Sequence, residues 1–121
     1  MKHATPLFIC GDIHSLAEGR ILRSGDLDLT RNPVISIASG SLGTGMRSFP
    51  SSFRGIVAKP PTDLEMEERL SCVEKNGFII ADFTTTEITI RFFAWRPPEP
   101  LEDIDTMESF HQLVIPVKRN L

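Results

Sequence analysis

A chain of 121 residues with 40% hydrophobic side chains is long enough for one domain to bury its own core, and its composition excludes an intrinsically disordered polymer. Thirteen Lys and Arg against sixteen Asp and Glu leave a formal charge of -3, so no basic field exists to gather nucleic acid or an anionic membrane surface. The longest unbroken apolar runs, such as Leu7 to Cys10 and Phe92 to Trp95, fall far short of the roughly 20 residues that cross a bilayer, and no membrane span is expected.

The first run, Pro6 to Cys10, is short and ends at Gly11-Asp12, the pattern of a strand buried on both faces that runs into a loop. Cys10 then reads as a reduced core thiol, and neither it nor Cys72 belongs to a C-x-x-C pair or a disulfide framework. No apolar segment follows Met1 and Lys2, so no secretion signal is expected and the compartment stays open. Val34 to Ala38 is a second strand, entered from Asn32-Pro33 and leaving into the glycine-rich segment 39–45. Residues 46–61, rich in Ser, Pro, Gly and Arg, read as an irregular excursion.

Pro60 and Pro61 followed by Thr62-Asp63 and an acidic first turn predict a helix over 63–75, closed by Asn76-Gly77. Residues 78–83 and 87–95 flank three threonines and predict a hairpin. In its second arm Ile88, Ile90 and Phe92 share one face, and Glu87, Thr89 and Arg91 share the other. Trp95, Phe92 and Phe93 read as packing. A proline-rich connector, 97–100, separates this arm from a last strand over 111–117.

The sharpest chemical feature is Gly11-Asp12-Ile13-His14. If the strand stays extended, Asp12 and His14 point to one side and Ile13 turns into the core, so a carboxylate and an imidazole address one pocket. Such a pair suits a divalent metal of intermediate softness, Zn, Mn or Fe, and argues against a pure Ca or Mg site. An Asp that caps a turn and a His that makes a local hydrogen bond account for the same string. Two ligands are fewer than the three of a catalytic zinc site. Glu18, Asp26, Asp28 and His3 are the nearest further donors, but their spacing enforces no convergence and they read as solvated loop charges. Gly40, Gly43 and Gly45 lack the Lys-Ser/Thr pair of a phosphate cradle and read as a close-packed turn. Arg20, Arg23, Arg47 and Arg54 could meet a substrate phosphate by bidentate bonds, but arginines in loops most often face water and that is the reading they receive. His3 and His111 carry no partner at ligand spacing and receive no role.

Several segments together resemble the C-terminal part of metallophosphoesterases of the alkaline phosphatase D type, in the calcineurin-like superfamily. They are Leu7-Phe-Ile-Cys-Gly-Asp-Ile-His-Ser15, Asn32-Pro-Val-Ile-Ser-Ile-Ala38, Phe49-Pro-Ser-Ser-Phe-Arg-Gly55, Asn76-Gly-Phe-Ile-Ile-Ala-Asp-Phe83 and Arg91-Phe-Phe-Ala-Trp95. The resemblance spans the chain from about Leu7 onward.

It implies an α/β fold, a partial α/β/β/α metallophosphoesterase sandwich made of C-terminal strands, a closing antiparallel hairpin and one helix. Residues 1–121 would form the C-terminal part of that domain, without internal boundary. It also implies a binuclear centre of divalent ions, Mn, Zn, Fe or Ca not being distinguished, with Asp12 and His14 as metal ligands. The activity implied is hydrolysis of phosphate mono- or diesters. The other ligand motifs of the family precede its G-D-x-H strand, whereas this chain starts about ten residues before Asp12. The expectation is therefore a fragment that is inactive alone, whose partners are a phosphate-ester substrate and an N-terminal half of the enzyme, and whose first strand has an unpaired edge. The competing readings are a noncatalytic β-rich interaction module and, more distantly, a nucleotide-binding module using the glycine loop.

Overall fold

The computed structural model describes residues 5–42, 60–95 and 98–117. His3, Arg47, Arg54, Gly43, Gly45 and the segment Phe49 to Gly55 lie outside the described residues, as does most of the excursion expected over 46–61.

In chain order the elements are β1 (Leu7–Cys10), β2 (Leu16–Ser24), β3 (Leu27–Asp28), β4 (Val34–Ser39), β5 (Leu64–Val73), β6 (Gly77–Phe83), β7 (Glu87–Ala94), a short helix α1 (Glu102–Thr106) and β8 (His111–Pro116). The first sheet runs β1-β4-β2-β3, with β5 on β2 as well, and the second runs β6-β7-β8. Every pairing is antiparallel except β1 with β4, which is parallel from Leu7 opposite Ile35 to Cys10 opposite Ala38.

The expected α/β sandwich is overturned. Strands make up 55% and helix 5% of the structure, which is a half-barrel of two sheets. An α/β sandwich needs helices long enough to cover a sheet face, and α1 has five residues with none of them buried. The core lies instead between the two sheets. Leu16, Ile35 and Ile37 of the first sheet meet Ile90, Phe92, Leu113 and Ile115 of the second. No helix among the described residues is long and apolar enough to cross a membrane.

The helix expected over 63–75 is also corrected, because Leu64–Val73 is strand β5. Leu64, Met66, Leu70 and Cys72 already alternate at period two, but Glu68 breaks the series and the acidic start mimics a helix entry. β5 lies antiparallel along β2 with three irregularities in register, between Leu16 and Glu18, Glu18 and Gly19, and Ile21 and Arg23. Each irregularity disturbs the alternation of faces, so the sequence carries no clean strand period.

The second sheet follows local pattern closely. In β7, Ile90 and Phe92 are fully buried and pair with Leu113 and His111 of β8. The β6–β7 turn is tied by Thr84, whose Oγ1 accepts from the N–H groups of Thr86 (3.2 Å) and Glu87 (3.0 Å). Gly77 opens β6 where no side chain fits, since a Cβ there would overlap the Phe93 carbonyl oxygen and lie 2.8 Å from Leu16 Cδ1. Trp95 is buried beyond β7, and its Nε1–H donates to the Pro100 carbonyl (3.2 Å), which anchors the proline-rich connector.

Candidate functional site

The strand directions place the G-D-x-H segment. β1 and β4 run the same way and β2 runs back against β4, with β4 between them. The chain leaving β1 must therefore arch over the C-terminal end of β4 before it descends as β2. Residues 11–15 are that arch. Its base is tied to β4 by the Ser39 hydroxyl, which donates to the Cys10 carbonyl (3.1 Å). Beside it Gly40, at φ 77°, packs where a Cβ would meet the Gly77 backbone at 3.2 Å and Leu16 at 3.3 Å. Gly40 is thus part of a close-packed turn between the two sheets.

The arch is not extended. Asp12 (φ 76°) and His14 (φ 53°) both lie in the left-handed region, which Asp and His tolerate better than most residues at a cost on the order of 1 kcal/mol each. Strand alternation therefore does not bring the two side chains to one side. Asp12 is exposed and His14 half-buried. Ile13 does not enter the core, being 45% exposed. Ser15 ends the arch fully buried, with its hydroxyl directed at the Ile13 carbonyl (3.4 Å).

Two further readings of the first strand change with it. β1 pairs with β4 alone and is an edge, so Phe8, Ile9 and Cys10 are exposed where burial on both faces was expected. Cys10 is not a core thiol, although its Sγ–H reaches the Ile37 carbonyl at 3.4 Å. With Ile13 it borders an open groove of about 540 Å3 on the outer face of the first sheet, where Ala17, Gly19 and Ala38 leave room and Met66 forms a wall.

The additional donors do not join Asp12 and His14, and among the described residues no group of three or more His, Cys, Asp and Glu could hold a metal ion. Asp26 and Asp28 lie at the far end of β2, Asp28 opposite Arg23, about 25 Å of extended chain from the arch. Asp28 closes a turn by accepting from the Thr30 backbone N–H (2.9 Å) and hydroxyl (2.7 Å). The Thr30 hydrogen bonds, aided by Arg23 and Arg31, hold the Asp28 carboxyl below its usual value.

Glu18 is no solvated loop charge. It stands on the inner face of β2 at 2% exposure, where His111 Nε2 approaches its Oε2 at 2.6 Å and Arg20 Nη2 approaches its Oε1 at 3.7 Å. Sequence reasoning gave His111 no role because its partner is 93 residues away. The available signal was parity, since Glu18 follows Leu16 by two on a strand whose inner face is buried.

In donor chemistry Asp12 and His14 match an intermediate divalent metal, but two donors alone do not fit a binuclear centre. Compared with known proteins, the chain matches no family model, no curated protein and no solved structure.

Proposed function

We propose that this chain is the C-terminal portion of a metal-dependent phosphoesterase that hydrolyses phosphate mono- or diesters, and that Asp12 and His14 contribute part of its metal site. The observation that carries the reading is the arch. A carboxylate and an imidazole sit two residues apart in a left-handed backbone, at the C-terminal ends of the parallel pair β1 and β4, where loops that leave a sheet commonly carry binding residues. The resemblance to alkaline phosphatase D-type enzymes supplies the reaction class. The remaining donors would come from another polypeptide segment. The open edge of β1, with Phe8 64% and Ile9 45% exposed, offers a place for such a segment to join.

On this reading the chain alone binds Mn or Zn weakly and hydrolyses little. Titration calorimetry with Mn and Zn, on the chain alone and with the N-terminal half of such an enzyme supplied separately, tests it. Metal binding and phosphatase activity should emerge only in the mixture and collapse in His14→Ala. A mixture that gains neither sinks the proposal.

The same exposed edge favours a second reading, a noncatalytic module that recruits an extended partner strand. There, His14→Ala would leave partner binding unchanged, whereas Phe8→Ser would weaken it.

A further inference from the structure

At the end of the first sheet opposite the arch, β1 and β4 begin and the polar stripe on the inner face of β2 runs out. Arg20 follows Glu18 on that face and stands opposite Ile35. Beside it opens a hollow of about 220 Å3 between the sheets. Arg20, Arg31, Asn32 and Thr5 form its polar part, Pro33, Ile35 and Ile115 form an apolar wall, and Val114, which faces outward, lies at its rim. No carboxylate lines it.

The two guanidinium groups are under-used. Among the described residues Arg31 makes no ion pair within 4 Å, and its charge acts on Asp28 only from longer range. Arg20 Nη2 stays 3.7 Å from Glu18, beyond hydrogen-bond distance, and its buried Nε–H has no acceptor. Glu18 already takes the His111 contact at 2.6 Å on its other oxygen. A buried donor without a partner is costly, and a guanidinium fork matches the oxygens of a phosphate. Two such groups at one hollow match a dianion better than a single carboxylate. The hollow is smaller than the roughly 300–1,000 Å3 of pockets for drug-sized ligands, so its ligand is small.

We propose that this hollow binds a small organic phosphate monoester, with the phosphoryl group held by Arg20 and Arg31 and the organic substituent against Pro33 and Ile115. The site is separate from the arch by the length of β4, about 17 Å, and does not rest on the metal-site reading.

Backbone amide NMR on the chain in EDTA, titrated with phenyl phosphate, inorganic phosphate and benzoate, tests it. Phenyl phosphate should give saturable shifts at Thr5, Arg31, Asn32 and Val114, with inorganic phosphate and benzoate each several-fold weaker. Arg31→Gln, a change at an exposed turn residue, should weaken phenyl phosphate about tenfold or more. Asp105→Asn, on α1 away from both the hollow and the arch, should leave its affinity unchanged, and EDTA keeps metal from the arch, so failure here is distinguishable from failure of the metal site. The proposal is overturned by absence of shifts at millimolar ligand, by equal affinity for phenyl phosphate and inorganic phosphate, or by an Arg31→Gln variant that binds like the parent.

Discussion

Replacing His111 by Phe preserves a ring beside Phe92, whose centroid lies 5.1 Å from the imidazole, and removes the nitrogen that meets Glu18. The carboxylate, 2% exposed, would keep only Arg20 at 3.7 Å. Breaking a buried pair from one side costs about 3–5 kcal/mol because the surviving charge cannot return to water. The residual Arg20 contact and the 23% exposure of the His111 side chain place this case near the lower end, about 3 kcal/mol. With an unfolding entropy of about 2.1 cal/mol/K per residue, a chain of 121 residues should lose about 12 °C of Tm. Urea unfolding followed by the fluorescence of Trp95, which is buried, reads the loss directly. A second change, Glu18→Leu in the same background, removes the carboxyl group left without its partner and should recover most of the stability, since replacing both members of a buried polar pair by apolar side chains is often neutral or stabilising. If His111→Phe lies within about 0.5 kcal/mol of the parent, or if the double variant is no more stable than the single one, the Glu18–His111 contact does not stabilise the fold.

Gly77→Ala should destabilise by about 2 kcal/mol or more, because the added methyl overlaps the Phe93 carbonyl and Leu16, and chemical denaturation measures it. Phe92→Ala should cost about 3–5 kcal/mol, whereas Val114→Ala, at a site 44% exposed, should stay within about 0.5 kcal/mol; comparable losses at both would contradict the assigned faces of β7 and β8. The Asp28 carboxyl, its pKa lowered by folding, contributes stability that is complete above its unfolded value of about 3.9 and disappears as pH falls through the folded value. Carbon NMR should find it titrating below an ordinary aspartate, and Thr30→Val should move it upward. An Asp28 that titrates normally in the parent would remove the role given to Thr30.

The second sheet was legible in the sequence because its determinants are local. Ile88, Ile90 and Phe92 alternate with polar residues, three threonines mark the turn, and prolines set off the last strand. The arch was legible as composition but not as geometry. Gly11, Asp12 and His14 announce a special loop, yet the left-handed backbone of Asp12 and His14 follows from β4 lying between β1 and β2, a placement set by residues 34–39. Neither β2, with Glu18-Gly19-Arg20 at its centre, nor β5, with its acidic start, matches an isolated strand.

What the sequence determined by itself was therefore the absence of a basic field, the hairpin with its buried face, and the position of an acid and an imidazole in one tight loop. What only the tertiary structure decided was that 64–73 extends along β2 instead of coiling, that the first strand is an exposed edge, and that Glu18 is enclosed with His111. Turn chemistry and side-chain period act over a few residues, so they can be read from neighbours. Strand pairing and the burial of a charge depend on partners tens of residues away, and their free energy exists only once both have been brought together.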